Sequence, residues 1–389
     1  MNLLFLYRRD IHEDDAGASR TIILRENFLV NQHNVKVFSS FRHLSKVDKK
    51  IIELNIKELT SINIRKAIVE NQIDILCVPE GEFLAHIAYE AVQGTKCRIV
   101  TELHNKPGYA IDKIFSQLCD KVIYSTSVRR KIGAILRLII TVRDYFKIKE
   151  NDYVNNRAAC LLSNKFVLLS KHFEKDFCDL YHVSKNNFQF IGNPASFTSP
   201  SNIENIILNK KNEVLVVARL DEGQKRVSEA IKCWAIVENE LPDWTLRIVG
   251  MGADYDLYWN MIKRLKLKNV VFEGWQSPKE YYKKAKIFLM TSRFEGWGMT
   301  IVEAQQMGCI PIVMNTFKAL NDIVENGNNG FIVGDREIDC MAGIIRYLAN
   351  NPDKMYQIAL NSSMSTHRFS IDNIGMKWLE LYKQVQYEI

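Results

Sequence analysis

Short apolar runs alternate with longer stretches of helical periodicity along most of the chain. Short continuous apolar runs between helical patterns are typical of parallel sheets that helices cover on both faces. In the first half, the predicted strands are Asn2–Tyr7, Val35–Ser39, Ile73–Pro79, Arg98–Glu102, Lys165–Ser170 and 187–194. A second series begins at 213–220. The pattern therefore predicts an α/β protein with two doubly wound, Rossmann-like domains.

A polar stretch separates the two series of strands. The last strand of the first series closes on Asn193-Pro194, a pair that interrupts regular structure. We therefore predict a first domain over residues 1–195, a linker over 196–212 and a second domain over 213–370. In such sheets ligands bind at the carboxyl ends of the strands, so candidate chemistry is expected there and in a cleft between the domains.

Composition narrows the class of protein only moderately. The chain has 389 residues, 47% of them hydrophobic and 25% charged, which is typical of a globular protein with two domains. Its net charge of +7 suits an anionic small ligand or membrane surface and does not by itself indicate nucleic acid. The eight cysteines form no C-x-x-C pair, which disfavours a zinc site, and with no secretory signal we expect a cytoplasmic protein.

Residues 128–149 form a basic amphipathic segment with seven Lys or Arg and one acid. Its uncharged stretches are too short to span a bilayer. Two interpretations stay open: a helix that lies on an anionic membrane at the inner face of the plasma membrane, or a surface helix that packs on its own domain.

The stretch SRFEGWGMTIVEAQQMGCIPI carries two acids, Glu295 and Glu303, around a Gly-Trp-Gly turn. Glycines allow backbone amides to approach a ligand, and the start of the helix that follows favours an anion such as phosphate. Each acid also has a simpler interpretation. Glu295 would be an ordinary loop acid, and Thr300-x-x-Glu303 matches a helix capping box.

A second candidate feature is the pair of cations Arg219 and Lys225 after strand 213–220. At the carboxyl edge of the sheet, both would converge on a diphosphate, although a solvated basic loop is the alternative. A Gly-x-Gly turn at 250–252 ends another strand. Asp254-Tyr255-Asp256 has the D-x-D spacing of some metal-dependent transferases, but acids before a helix are more often caps.

In this order the segments resemble glycosyltransferase family 4, the retaining enzymes of GT-B fold also described as glycosyl transferases group 1. The motifs are R-L-x4-K from Arg219, the Gly-x-Gly turn, F-x-G from Phe272, S-R-x-E-G-x-G-x4-E from Ser292 and the ENGNNGFIV stretch that ends at Val333. The resemblance implies two domains facing a central cleft, with residues 371–389 crossing back to the first domain. It also implies a nucleotide-diphosphate sugar as donor, UDP- or GDP-linked, with no metal or other cofactor.

Carried over to this chain, the resemblance implies four catalytic residues. Arg219 and Lys225 would bind the donor diphosphate, Glu295 would contact the sugar, and His104 would lie near the reacting centre. Glu303 would bind the ribose. The other implied donor-binding residues are Gly17, Gly250, Gly252, Trp275, Gly296, Trp297, Gly298, Met299 and Thr300. Loops of the first domain would hold a glycan or lipid-linked acceptor, and the candidates there are Glu80, Glu82 and Asn105.

The expected function is therefore sugar transfer in cell-surface polysaccharide biosynthesis, with no nucleic acid partner. Two alternatives stay open. A sugar-nucleotide epimerase of similar fold would need the same diphosphate site, and a non-catalytic protein would only bind the nucleotide sugar. Ala218, where many family members have glycine, is a mild departure, and so are Ala16 and Ala18 around Gly17.

Overall fold

The computed structural model describes residues 1–12, 17–43, 48–114, 116, 128–184 and 187–387, and over 128–144 it describes the helical backbone alone. These residues divide into two compact units. The first unit comprises residues 1–108, 147–196 and 368–389, and the second comprises 109–146 and 197–367.

The first unit is built on a sheet whose described strands are all parallel, in the order β3-β2-β1-β4-β5-β6-β7. The strands are β1 Asn2–Phe5, β2 Lys36–Ser39, β3 Ile52–Glu53, β4 Ile75–Val78, β5 Arg98–Leu103, β6 Lys165–Leu168 and β7 Phe188–Phe190. The helices are α1 Gly17–Leu29, α2 Ser61–Glu70, α3 Gly81–Val92, α4 Val128–Leu161 and α5 Glu174–Tyr181, with α14 Ile371–Tyr387 at the end of the chain. Only the part of α4 from residue 147 onward belongs to this unit.

Both faces of this first sheet are buried. Along β1, Leu3 and Phe5 belong to one apolar cluster, whereas Leu4 and the following Leu6 belong to another. Successive side chains of a strand point to opposite faces, so each cluster covers one face. Helix α14 supplies part of the first cluster, including Trp378, which ties the end of the chain to the first unit.

The second unit is built on another parallel sheet, in the order β10-β9-β8-β11-β12-β13. The strands are β8 Lys211–Val217, β9 Thr245–Val249, β10 Val270–Gly274, β11 Ala285–Met290, β12 Ile310–Met314 and β13 Phe331–Val333. The helices are α6 Ile203–Leu208, α7 Val227–Val237, α8 Tyr255–Leu265, α9 Lys279–Lys284, α10 Met299–Gln306, α11 Leu320–Ile323, α12 Ile338–Asn350 and α13 Pro352–Ser365.

The prediction of two parallel α/β domains is confirmed, but several predicted boundaries differ from the structure. The predicted linker 196–212 contains α6, whose Ile207 is buried in the core of the second unit, and β8 begins two residues before the predicted strand. The predicted linker is polar in sequence, and this polarity gave no sign of the short amphipathic helix that it contains. Strand β3 was missed because both of its residues are exposed and give no apolar run.

The domain assignment of residues 109–146 also differs from the prediction. These residues lie in the first half of the chain, yet they cluster with the second unit. Part of the reason is that the Tyr109 ring packs edge-on against Phe294, with 5.5 Å between ring centroids.

The basic segment 128–149 is helical as the first part of α4. Its side chains up to residue 144 lie outside the described residues, so both interpretations of the segment remain predictions. In the described part of the chain, no helix is long and apolar enough to cross a membrane.

Candidate functional site

The strand order of the second sheet reverses between β8 and β11, which are neighbours although β9 and β10 lie between them in the sequence. Chain connections leave these two strands toward opposite sides, and such a switch point opens a crevice at the carboxyl edge. Two loops begin there: residues 218–226 after β8 and residues 291–298 after β11. The first carries Arg219 and Lys225, and the second carries Glu295.

The two loops place Lys225 and Glu295 in direct contact. The Lys225 Nζ donates to Glu295 Oε1 over 2.6 Å, and both side chains are largely buried. These two residues are 70 positions apart in the sequence. The structure therefore joins a candidate phosphate-binding cation to a candidate sugar-binding acid.

Arg219 lies in the same loop and remains partly accessible. Its Nη2 donates to Asp221 Oδ2 at 2.9 Å and to Gln224 Oε1 at 3.1 Å, while 54% of its side chain stays exposed. An exposed guanidinium with one carboxylate neighbour can exchange that neighbour for another anion at little cost. Arg219 is thus available to an anionic ligand at this edge.

Helix α10 begins at Met299, and Gly298 is its N-cap with φ of 95°. A left-handed residue at this position favours glycine, and an added Cβ would lie 3.0 Å from the Ile301 side chain. The capping-box interpretation of Thr300 and Glu303 is wrong, because Thr300 lies inside the helix and is not its N-cap.

Glu303 has a different environment from that of a helix cap. It is buried, at 3% exposed, and its Oε2 accepts a hydrogen bond from the Tyr282 hydroxyl at 3.1 Å. A carboxylate is costly to bury unless polar partners surround it. Tyr282, which the sequence did not single out, thus orients the acid at the end of the site nearest α9.

The Gly-x-Gly turn after β9 is required by the packing of backbone against backbone. A Cβ on Gly250, whose φ is 143°, would lie 1.9 Å from the Ala218 carbonyl oxygen, and one on Gly252 would lie 2.2 Å from the Leu220 carbonyl oxygen. Both glycines therefore let the turn lie directly against the loop that carries Arg219. They shape the site whether or not they contact a ligand.

The D-x-D pair after this turn has a structural partner. Asp254 Oδ2 accepts a hydrogen bond from the Glu222 backbone N–H at 2.7 Å, which links α8 to the loop after β8. Within the described residues, no group of three or more His, Cys, Asp or Glu could hold a metal ion. Trp275, just after β10, is 68% exposed, whereas Trp297 in the Gly-Trp-Gly turn is buried.

Tyr109 is a further residue at this edge that the sequence gave no reason to select. Its ring packs on Phe294, and its hydroxyl lies in the electrostatic field of Arg219, Glu295 and Asp221. Burial raises the pKa of Tyr109, Arg219 acts in the opposite direction, and Glu295 and Asp221 add to the rise. Its half-buried ring contacts Phe294, in the loop that carries Glu295.

The remaining predicted catalytic residue, His104, follows β5 in the first unit. Its Nε2 lies 3.0 Å from Glu102 Oε2. Glu102 in turn accepts two hydrogen bonds from Arg25, at 2.9 and 2.7 Å, and the Arg25 guanidinium stacks over the Trp378 ring at 3.9 Å. Burial would raise the pKa of Glu102, but Arg25 and His104 outweigh it and hold that pKa at about 2.

The acceptor candidates also lie in the first unit. Glu80 is held by Arg8, whose Nε and Nη2 donate to Glu80 Oε1 at 3.1 and 2.9 Å. Burial raises the pKa of Glu82 to about 7, and its buried Oε2 has no hydrogen-bond partner among the described residues. Asn105 follows His104. Gly17 begins α1, but residues 13–16 before it lie outside the described part of the chain.

Comparison with known proteins finds a family match within the second unit. Residues 200–363 match the family model described as Glycosyl transferases group 1. An uncharacterized glycosyltransferase from Haemophilus influenzae is 25% identical over 195 residues, which is 50% of this chain and 54% of that protein. The lipopolysaccharide 1,6-galactosyltransferase of Salmonella typhimurium is 31% identical over 173 residues, which is 41% of this chain and 46% of that protein. The chain thus spans about half the length of these two relatives.

A solved structure extends the likeness to the whole chain. HepE of Anabaena, solved in complex with UDP, superposes with a TM-score of 0.69 at 19% identity, covering 99% of this chain and all of that one. At this identity the likeness shows the fold, which is GT-B. Within that fold, residues 200–363 are similar to the family described as Glycosyl transferases group 1.

Proposed function

We propose that the protein is a retaining glycosyltransferase that transfers a sugar from a UDP- or GDP-linked donor to a glycan or lipid-linked acceptor. Its product would enter a cell-surface polysaccharide. The observation that carries the proposal is the contact between Lys225 and Glu295 at the switch point of a glycosyl transferases group 1 domain. This contact joins a phosphate-binding cation to a hydroxyl-binding acid at one edge of the sheet.

The chemistry of sugar transfer requires charges of this kind. When the bond between the anomeric carbon and the diphosphate breaks, its electron pair leaves with the nucleoside diphosphate. The acceptor oxygen forms the new bond to carbon and releases its proton. Positive charge develops on the sugar and negative charge on the phosphate, so fixed cations aimed at the phosphate lower the barrier.

Each part of the site then has a role on the donor. Lys225 offers a point charge and Arg219 a planar fork to the diphosphate. The first-turn N–H groups of α10 face the same anion, because Gly298 supplies no side-chain oxygen to cap them. Glu295 accepts from sugar hydroxyls, and Glu303 accepts from the ribose.

The first unit would supply the acceptor side. Glu102, itself bound by Arg25, lies beside His104 at the end of β5, and Glu82 offers a buried carboxyl oxygen at the start of α3. A buried acceptor atom of this type is satisfied by a hydroxyl, the commonest polar group of a sugar. The acceptor is thus proposed to present a hydroxyl near His104 and Glu82.

The comparisons support the biological setting of the proposal. The Salmonella relative is named for lipopolysaccharide synthesis, and the Anabaena structure was solved with UDP. Another relative, 23% identical over 83% of this chain, is a Klebsiella pneumoniae protein described as lying in a cps region. UDP-sugars are therefore the first donors to test.

The proposal is tested by incubating the full chain with UDP-, GDP- and ADP-sugars, with and without lipid-linked and oligosaccharide acceptors. A transferase releases nucleoside diphosphate in proportion to a new glycoside. An epimerase would produce an isomeric sugar with or without release of the nucleotide, but no glycoside. Donor binding without either product would indicate a non-catalytic binding protein, and no binding of any donor would refute all three functions.

A further inference from the structure

Arg226 follows Lys225 directly and has an environment that its sequence position does not suggest. Its side chain is only 2% exposed, although the sequence around it is strongly polar. Its backbone is left-handed, with φ and ψ of 47°, at the N-cap of α7. Left-handed backbone is unfavourable for a residue with a Cβ, so the surrounding contacts must hold it in place.

Those contacts lead to the loop that carries Glu295 and to the ends of the next two strands of the sheet, with Met314 Sδ at the end of β12 lying 3.8 Å from Nη2. The Arg226 Nε donates to the Thr291 carbonyl at 2.9 Å, and Nη2 donates to the Ser292 carbonyl at 3.3 Å. The same Nη2 donates to Asp335 Oδ1 at 2.7 Å, just after β13. One buried guanidinium therefore joins the ends of two strands to the start of α7.

The backbone on both sides of Lys225 is fixed by the same arrangement. The Thr291 hydroxyl lies 3.1 Å from the Lys225 carbonyl oxygen and 2.9 Å from that of Arg226, and can donate to either. The Arg293 backbone N–H donates to the Gln224 carbonyl at 2.7 Å. With its backbone fixed on each side, the Lys225 side chain starts from one defined position at the carboxyl edge of the sheet.

We propose that Arg226 is a positioning residue that fixes the backbone of Lys225 at the end of β8 and so preorganises the site for a nucleoside diphosphate. This inference rests on the proposed function. Arg226 does not itself reach the ligand, because its guanidinium is directed inward to the carbonyls at the end of β11. Its planar fork serves three acceptors at once, which a lysine cannot reproduce.

The test is a double-mutant cycle on nucleotide affinity. UDP, GDP and ADP are titrated calorimetrically into the full chain, and the tightest binder is carried through Arg226→Gln, Arg226→Lys, Lys225→Ala and the double variant Arg226→Gln/Lys225→Ala. Because neighbours that act together are coupled, Arg226→Gln is expected to weaken binding about tenfold alone and hardly at all when Lys225 is already alanine. Arg226→Lys is expected to restore little of the nucleotide affinity that Arg226→Gln loses.

Two further variants control for folding. Arg346→Gln breaks another arginine pair of the second unit, with Glu240, and should leave the nucleotide affinity unchanged. If Arg226→Gln fails to fold, Asp335→Ala replaces it in the cycle, since it removes only one of the bonds to Arg226. A several-fold weakening that disappears in the Lys225→Ala background is then expected.

The outcomes separate the inference from the proposed function. An equal weakening by Arg226→Gln with and without Lys225 would overturn the positioning role while leaving the diphosphate site intact. Full nucleotide affinity in Lys225→Ala would overturn the proposed role of Lys225 and with it that of Arg226. Full affinity in Arg226→Gln alone would overturn the inference only.

Discussion

The substitution Glu295→Gln is expected to tighten the binding of a nucleoside diphosphate while it abolishes sugar transfer. In the structure, Lys225 Nζ already donates to Glu295 at 2.6 Å. A diphosphate that takes Lys225 must therefore compete with a carboxylate that is only 12% exposed. Glutamine keeps the shape of the side chain and removes the competing charge.

The size of the effect follows from the environment of the pair. Two unit charges about 4 Å apart attract by about 4 kcal/mol at an effective dielectric constant of about 20. Desolvation offsets much of this, and hydrogen bonds to charged groups contribute about 1.5–3 kcal/mol net. If Lys225 gives up about half of that to bind phosphate, the cost is about 0.8–1.5 kcal/mol, and the upper end of this range corresponds to about a tenfold change in Kd.

The assay is a pair of measurements on one variant. Calorimetry with UDP or GDP should show an approximately tenfold lower Kd for Glu295→Gln, whereas the initial rate of nucleotide release from the sugar donor should fall by two orders of magnitude or more, about the loss expected for an interaction made in the transition state. The control is Glu240→Gln, which breaks the surface pair with Arg346 at the far end of α7. An unchanged or weaker nucleotide affinity would refute the competition argument.

Three other predictions follow from the structure. Gly250→Ala should lower the free energy of unfolding by about 3 kcal/mol or more, measured with urea, because its Cβ would lie 1.9 Å from the Ala218 carbonyl oxygen. Glu102→Gln should cost about 3–5 kcal/mol at neutral pH because it leaves Arg25 buried without its charge partner. Since the folded pKa of Glu102 is about 2, below its ordinary 4.5, that difference should be complete above pH 4.5 and shrink as the pH falls toward 2. Glu303→Ala should raise the KM for the donor about tenfold with little loss of kcat, as expected for a contact made equally in ground and transition states; an unchanged KM would exclude a ribose role.

The general architecture was predictable because parallel strands buried on both faces must be apolar throughout. Strand β12, Ile310–Met314, and the part of β6 after Lys165 are examples that stand in the sequence as uninterrupted apolar runs. Strand β3 broke the rule, since an exposed edge strand of two residues needs no apolar pattern. Which loops lie side by side was not predictable from the sequence, because it depends on which strands become neighbours in the sheet.

The residue types of the site were predictable, but their partners were not. Arg219, Lys225 and Glu295 were visible as charged residues after predicted strands, yet the contact between Lys225 and Glu295 depends on β8 pairing with β11. Arg226 looked like another solvated cation beside Lys225. Only the folded chain shows that one of these adjacent cations is buried under the loop and the other faces the site.

Glu303 shows how a local pattern can mislead. The spacing Thr300-x-x-Glu303 satisfies the capping rule, but the helix begins earlier because Gly298 can adopt the left-handed conformation. Tyr109 had no local pattern at all, because nothing in the nearby sequence links a tyrosine in the first half of the chain to Phe294. Both depend on contacts distant in sequence.

The most direct test of the central claim is a crystal structure of the full chain with a bound nucleoside diphosphate, UDP first. The account predicts that the diphosphate lies at the carboxyl ends of β8 and β11, with phosphate oxygens within hydrogen-bond distance of Lys225 Nζ and the Arg219 guanidinium. A diphosphate bound elsewhere on the chain, with Lys225 still paired to Glu295, would contradict it.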